Sequence, residues 1–210
     1  ESVPFATRAN DKWKNPSPVT ISQSNEFSVA HPVFIEKLNW LVFSSNMEGS
    51  LGGMDLFYCE LTPNGWSKPI NLGEKVNTPF NEVFPCYNKY DDNALYFSSN
   101  GHLGFGGLDV FKITIKDKKI ATIELLPKSI NSNYDDFGIA FKSPTKGYIS
   151  SNRKNGKGAD DIYSFELTNL ITVSGIVLDE IKNNPLSNKK IYLLDEKGAI
   201  IDSVITNNEG

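Results

Sequence analysis

The stretch that decides the fold reads Leu95-Tyr96-Phe97-Ser98-Ser99-Asn100 and continues, after a Gly-rich loop, as Asp109-Val110-Phe111. The apolar run before the loop ends in Ser-Ser-Asn, and the same triplet ends an apolar run in two further copies. The second Ser of the triplet is Ser45 in the first copy, Ser99 in the second and Ser151 in the third. These serines are 54 and 52 residues apart, and an Asp followed by two apolar residues stands ten residues after each of them. A period of about 50 residues with short strands is typical of β-propellers, which have about four strands per blade.

The sequence between these landmarks predicts strands and turns. Apolar residues occur in short runs or alternate with polar ones, and they do not recur at the helical period of about 3.6 residues. Asn64-Gly65 is a strong hairpin signal. In the first repeat we therefore expect strands near residues 30–34, 40–44, 55–61 and 66–70. A β-helix or another solenoid is the alternative, although its period is normally shorter.

The predicted fold class is all-β, with a partial β-propeller followed by the start of a prealbumin-like β-sandwich. Closed propellers have about four to eight blades, so we interpret the segment as about three blades of a probable six and expect further blades upstream of Glu1. We assign the propeller to residues 1–169, its repeats to about 25–77, 81–131 and 133–168, and a strand of a preceding blade to 10–22.

Residues 170–210 change in character and predict a second domain. An alternating stretch over 171–179 is followed by strand-like segments over 190–194 and 199–204, with turn residues between them. Strands at this spacing suggest a β-sandwich, and about 40 residues are too few for such a domain to be complete.

Composition limits the classes of function. The net charge of −4 argues against nucleic acid as a partner, because phosphate binding needs a basic face. No apolar run reaches the roughly 18 residues of a membrane-spanning helix. Cys59 and Cys86 are either two free thiols or a disulfide pair. We expect no metal and no cofactor, since His31 and His102 do not stand at metal-ligand spacings.

The repeated aspartates Asp55, Asp109 and Asp161 allow two interpretations. In one, they bind calcium or a substrate. In the other, each carboxylate accepts backbone N–H groups and closes the Gly-rich loop before the third strand. We favour the second interpretation, because a residue present in every repeat is most simply explained by the architecture of the blade.

The sequence does not predict catalytic residues. The Gly-rich loops lack the Gly-Lys-Ser/Thr ending of a phosphate-binding loop, and no carboxylate pair suggests a glycosidase. Trp13, Trp40 and Trp66 are more simply blade packing than a sugar platform. The loops instead carry varied residues that suit contact with a partner, namely Glu48, His102, Phe105 and Arg153.

Phe97-Ser98-Ser99-Asn100-Gly101 with Asp109-Val110-Phe111, and the equivalent residues of the other copies, resemble the TolB-type, WD-like propeller repeat. The stretch from Val173 to Asp179 and Pro185-Leu186 resemble the carboxypeptidase-regulatory-like domain. This order of domains is similar to OmpA-family envelope proteins of Bacteroidota, including those of type IX secretion and gliding.

The resemblance implies a non-enzymatic scaffold or protein-interaction module in the periplasm or at the periplasmic face of the outer membrane. Its expected partners are other envelope proteins, and it would reach peptidoglycan through a domain that this sequence does not contain. The alternative is a propeller that binds a glycan or a peptide at its central channel. An enzyme with catalytic groups on the inner strands is a third hypothesis, for which the sequence offers no candidate pair.

Overall fold

The computed structural model describes residues 2–6, 8–9, 12–13, 17–21, 26–167 and 174–210. These residues form antiparallel β-sheets and no helix, which confirms the predicted all-β class. None of the sheets closes into a barrel. The chain divides into two compact units, Glu1–Leu167 and Thr168–Gly210.

The first unit begins with short paired strands and continues with three larger sheets. The short strands are β1 (Ser2–Phe5), β2 (Arg8–Ala9), β3 (Lys12–Trp13) and β4 (Ser17–Thr20), of which β1 pairs with β4 and β2 with β3. The first large sheet contains β5 (Val29–Ile35), β6 (Trp40–Ser45), β7 (Asp55–Thr62), β8 (Gly65–Trp66) and β9 (Ile70–Asn71). The second contains β10 (Glu82–Tyr87), β11 (Ala94–Ser99), β12 (Asp109–Lys116) and β13 (Lys119–Leu125), and the third contains β14 (Asp136–Phe141), β15 (Lys146–Ser151) and β16 (Asp161–Glu166).

The first three strands of each large sheet lie where the repeat predicts them. The Ser-Ser pair ends the middle strand, and the repeated Asp begins the next strand directly opposite, so that Ser45 pairs with Asp55 and Ser99 with Asp109. Every residue of β6 and β11 is buried, because both faces of these strands are covered. Burial on both faces explains why these strands read as continuous apolar runs instead of alternating.

The outermost strand differs among the three sheets. The single strand predicted over 66–70 is wrong, because two short strands, β8 and β9, pair separately with β7. Pro69 lies between them and has no N–H to donate to a continuous ladder. In the second sheet β13 pairs with β12 over its full length. Within residues 26–167, no strand pairs with the outer edge of β16.

The first strand of each large sheet contains a bulge at the same level. The pairing shifts between Ala30 and Val33, between Val83 and Cys86, and between Phe137 and Ala140. The residues at the bulges have positive φ angles, 53° at His31, 52° at Phe84 and 62° at Gly138. Proline follows the first two, where a missing N–H costs the ladder nothing.

The three large sheets pack against one another through two hydrophobic cores. One core joins residues of β6 and β7 to residues of β11 and β12, including Val42, Leu56, Phe97 and Phe111. The other joins Tyr96 and Val110 of the second sheet to residues of the third, including Ile149. A further core packs Val19 and Ile21 against the remaining face of the first sheet. The second sheet is thus covered on both faces, and its first strand β10 contacts both β5 and β14.

Trp40, Trp66 and the two cysteines of the first unit serve packing. Trp40 stacks on Tyr58 with a centroid separation of 4.0 Å, and Trp66 packs against the first-sheet core, whereas the side chain of Trp13 lies outside the described part. Cys59 and Cys86 are free thiols in different cores. Burial raises the pKa of each to about 11, which keeps both thiols protonated at neutral pH.

The second unit contains a hairpin of β17 (Lys190–Leu194) and β18 (Ile200–Ile205), close to the predicted strands. The predicted strand over 171–179 is wrong from residue 174 onward, and residues 171–173 lie outside the described part. Val177 donates to the Gly210 carbonyl and accepts from Leu186, so Leu178 forms one isolated bridge instead of a ladder. The hairpin is a two-stranded sheet with both faces exposed, and a sandwich around it stays a prediction.

Candidate functional site

The three repeated aspartates hold the Gly-rich loops through backbone hydrogen bonds. In every copy the donors are the N–H groups four and three residues before the Asp, at 2.7–3.3 Å. The pairs are Leu51 and Gly52 to Asp55, Phe105 and Gly106 to Asp109, and Lys157 and Gly158 to Asp161. The carboxylates therefore fix the loop backbone, as an Asx turn does.

The Ser-Ser-Asn triplet closes the other end of the same loop. The second Ser accepts an N–H from the residue two positions later in all three copies, at 2.9–3.2 Å. The Asn accepts an N–H from the residue just before the first strand of its own sheet. For Asn100 this donor is Asn81, at 3.0 Å, and for Asn152 it is Asp135, at 2.8 Å.

The glycines of the loops allow each sheet to approach the next. A Cβ atom on Gly52 would lie 2.2 Å from the Pro79 backbone, and one on Gly106 would lie 2.3 Å from the Tyr134 carbonyl. The residue before the Asp completes the junction, since the carbonyls of Met54 and Leu108 each accept an N–H from the following sheet at 2.6 Å. The first two Gly-rich loops, each of which joins two strands of one sheet, thus also contact the following sheet.

Asn77 and Asn131 form a second junction that the sequence analysis missed. Each is buried, and its side-chain amide brackets one residue of the preceding sheet, that is, it binds both the N–H and the carbonyl of that residue. Asn77 accepts from the Leu56 N–H at 2.8 Å and donates to the Leu56 carbonyl at 2.9 Å. Asn131 does the same to Val110, at 2.8 and 3.0 Å. The signal for these residues was the aliphatic-Asn-Thr/Ser triplet, which recurs after 54 residues.

Two buried carboxylates stand at the start of β10 and β14. Glu82 accepts from the Thr78 backbone N–H at 2.8 Å and from the Ser99 hydroxyl at 2.6 Å. Asp136 accepts from Ser132 and is paired with Arg153. The register aligns Val29 of the first sheet with these two acids, since Val29 faces Ser45 as Glu82 faces Ser99. The hairpins between first and middle strands differ in length, so spacing in the sequence does not reveal this alignment.

Asp109 differs from Asp55 because one neighbour has changed. In the first sheet the Asn71 amide donates to Asp55 at 2.7 Å. The equivalent residue of the second sheet is Leu125, since Asn71 faces Phe57 as Leu125 faces Phe111. Asp109 Oδ1 is buried and accepts no hydrogen bond from the described residues. Burial raises the pKa of Asp109, against the lowering effect of its bonds from Gly106 and Phe105.

The loop residues predicted to contact a partner fall into two groups. His102 donates from Nε2 to the Val76 carbonyl at 2.8 Å, and Arg153 donates to the Ile130 carbonyl at 2.6 Å, so both side chains are held inside the first unit. Glu48 is exposed beside an open groove of about 660 Å³. Phe105 is also exposed, with the Lys128 ammonium 5.2 Å from its ring centroid.

Aromatic rings form a row along the bulged first strands. The rings of His31 and Phe84 are 3.9 Å apart, and those of Phe84 and Phe137 are 5.0 Å apart. All three side chains are partly exposed. The His31 ring accepts the Phe84 N–H at Nδ1, at 3.4 Å, and burial lowers the pKa of His31.

The described residues lack the side-chain groupings of a metal centre. Among them, no group of three or more His, Cys, Asp or Glu side chains could hold a metal ion. Within the same part of the chain, no helix has the length and hydrophobicity needed to cross a bilayer.

Comparisons with known proteins give a distant structural similarity and no similarity to a known family. No family model and no curated protein matches the chain. Among solved structures, the chain is similar to a puromycin-hydrolysing peptidase of Mycobacterium tuberculosis, with a TM-score of 0.47 and 10% identity over 91% of this chain. The chain spans 31% of the length of that peptidase.

Proposed function

We propose that the first unit is a segment of a β-propeller. Three features support this proposal. The sheets pack face to face, and their first strands β5, β10 and β14 lie next to one another in order. Equivalent loops of the first two sheets also contact the sheet that follows. Sheets whose first strands meet while their outer strands diverge have the wedge shape of propeller blades. The second unit, on this proposal, is the opening part of a carboxypeptidase-regulatory-like sandwich.

We propose that this propeller is a non-enzymatic scaffold that binds other proteins. The observation that carries the proposal is a set of exposed apolar side chains on or beside the Gly-rich loops, at the end of the sheets where Ser99 faces Asp109. They are Leu51, Phe80, Leu103 and Phe105. The hydrogen bonds of Asp55 and Asp109 hold the loop backbones in place, so these side chains are presented on a preorganised surface.

The resemblance to OmpA-family proteins supplies the proposed setting, a type IX secretion or gliding complex at the periplasmic face of the outer membrane. The partners would then be other envelope proteins. Fractionation of cells that produce the full-length protein tests the location, and recovery in the cytoplasm would contradict it.

Site-specific photo-crosslinking tests the scaffold role. A photoreactive residue at Leu103 of the full-length protein in its own host should give a discrete adduct with another protein, because this side chain is 95% exposed on the proposed binding surface. The same residue at Lys119, the first residue of β13 at the opposite end of the second sheet, is the matched control. Absence of an adduct at position 103, or identical adducts at both positions, would contradict the proposal.

A glycan- or peptide-binding propeller is the second candidate, and the row formed by His31, Phe84 and Phe137 favours it. In the proposed propeller, these partly exposed rings would offer flat apolar faces to the central channel. Titration with cell-wall oligosaccharides and short peptides, followed by NMR of these rings, tests the candidate. Binding that is lost in Phe137→Ala supports it, and unchanged ring signals reject it.

A further inference from the structure

The third sheet presents an open surface at the place where the first two sheets are covered. Ile162 pairs with Ser150 as Leu56 pairs with Ser44 and Val110 with Ser98. Leu56 and Val110 are fully buried, whereas Ile162 is 76% exposed. Tyr148, the equivalent of the buried Tyr96, is also exposed.

The shared register fixes the direction of the free backbone groups of Ile162. In the first two sheets the residue at this position turns its N–H and C=O toward the outer edge, where the bracketing Asn binds both groups. Ile162 holds the same place in its ladder, so its N–H and C=O face the outer edge of β16. Among residues 26–167, no side chain takes the part of Asn77 or Asn131 at Ile162.

We propose that this surface, formed by β16, Ile162, Tyr148 and the loop at Gly158, is a docking site for an extended peptide segment of defined chemistry. The occupant is a strand that adds to the free edge of β16 and continues into an aliphatic-Asn pair. β-Strand addition of this kind takes its affinity from main-chain hydrogen bonds and its specificity from side-chain pockets. The proposal rests on the sheet geometry and does not depend on the scaffold role.

The two occupied sites of the molecule define what the occupant must supply. Its Asn amide binds both the N–H and the carbonyl of Ile162. The backbone N–H five residues before this Asn donates to the Ile162 carbonyl, as Leu72 donates to Leu56 and Leu126 to Val110, both at 3.0 Å. The aliphatic side chain before the Asn is buried, as Val76 and Ile130 are. A backbone N–H further along binds the Asp160 carbonyl, in the way that Asp136 binds Leu108.

The loop of the third sheet imposes one difference on the occupant. Gly53 and Gly107 leave room for the side-chain oxygens of Asn81 and Asp135, which accept the N–H groups of Met54 and Leu108. The third copy has Ala159 at this position, and its methyl group fills that space. The occupant therefore carries a smaller residue there than Asn or Asp.

A substitution at Gly158 distinguishes an effect on docking from an effect on folding. Its equivalents Gly52 and Gly106 touch the backbone of the following sheet, but a Cβ atom on Gly158 would meet nothing closer than 3.4 Å. Gly158→Ala should therefore leave the isolated chain as stable as the wild type. The same methyl group should collide with the backbone of a docked segment.

The test is NMR titration of the full 210-residue chain, labelled with ¹⁵N, against a synthetic peptide with the sequence of residues 119–136 and Asp135 replaced by Gly. We expect shifts at Ile162 and Tyr148, affinity weakened at least tenfold by Asn131→Ala in the peptide, and loss of binding to the Gly158→Ala chain at unchanged melting temperature. A tenfold loss corresponds to about 1.4 kcal/mol. Absence of shifts at Ile162, or binding that neither substitution weakens, would overturn the proposal.

Discussion

Asp55 and Asp109 occupy equivalent positions in their sheets, and the difference between them comes from a neighbouring residue. The Asn71 amide that donates to Asp55 is replaced by Leu125 beside Asp109. A buried carboxylate oxygen without a donor favours the protonated form. The repeated Asp thus keeps its loop contacts in every sheet, whereas the amide donor from the outermost strand is present at Asp55 and absent at Asp109.

Leu125→Asn should lower the pKa of Asp109. The pKa is raised in the wild type, so the contribution of this group to stability is complete below its unfolded-state pKa and is lost as the pH rises through its folded-state pKa. A new amide donor should remove this pH dependence and favour the carboxylate. Carboxyl-detected NMR titration measures the pKa directly.

Leu125→Ala is the control for this experiment, since it removes the same packing and supplies no donor. The pKa of Asp109 should fall with Asn and not with Ala. A pKa that is equal in the two variants would show that the missing donor has no part in the shift.

Asn131→Ala should destabilise the chain by about 2–4 kcal/mol, because the Val110 N–H and the Leu126 carbonyl lose the amide that binds them, and the Val110 carbonyl loses one of its two donors. Asn133→Ala, two residues away at an exposed position, should change the free energy of unfolding by about 0.5 kcal/mol or less. Urea denaturation of both variants measures the difference. Equal losses would contradict the bracketing role of Asn131.

The roles of the repeated residues could be predicted from the sequence, but the residues that contact them in space could not. The constant spacing from Ser to Asp exists because both residues belong to one hairpin of fixed register, so Ser99 must face Asp109. Asn131 escaped notice because its partner Val110 lies 21 residues earlier in the chain. A contact across this separation leaves a signal in sequence only as a second, shorter repeated motif.

At the scale of strands and loops, the glycines of the first two Gly-rich loops are junction elements. Gly106→Ala should cost about 1–3 kcal/mol in the free energy of unfolding, because the added methyl group would press on the Tyr134 backbone of the third sheet. Gly158→Ala is the matched control, in an equivalent loop where the added Cβ atom would meet no atom closer than 3.4 Å. Similar losses from both substitutions would show that loop conformation, not contact between sheets, requires glycine.

The strands most easily predicted are those buried on both faces. β6 and β11 lie between two cores and read as apolar runs, whereas the outer strands are short or split, as β8 and β9 are. The bulges at His31 and Phe84 have a partial signal in the prolines that follow them. Their alignment across sheets follows from packing and not from any local preference.

The three large sheets of the first unit share one plan and differ in how fully they are covered. The second sheet is packed on both faces, and the third is packed on one, which leaves Tyr148 and Ile162 exposed. The period of the repeat predicted the number of sheets. It did not predict which surface stays open, since that depends on which neighbour packs against each sheet in space.

A crystal structure of the full 210-residue chain tests the central claim, that the three repeats pack as neighbouring sheets whose first strands meet along one axis. The account predicts that β5, β10 and β14 lie side by side, with the rings of His31, Phe84 and Phe137 in one row and the outer strands diverging from them. Three repeats joined edge to edge in a single continuous sheet, with the two cores between sheets absent, would contradict it.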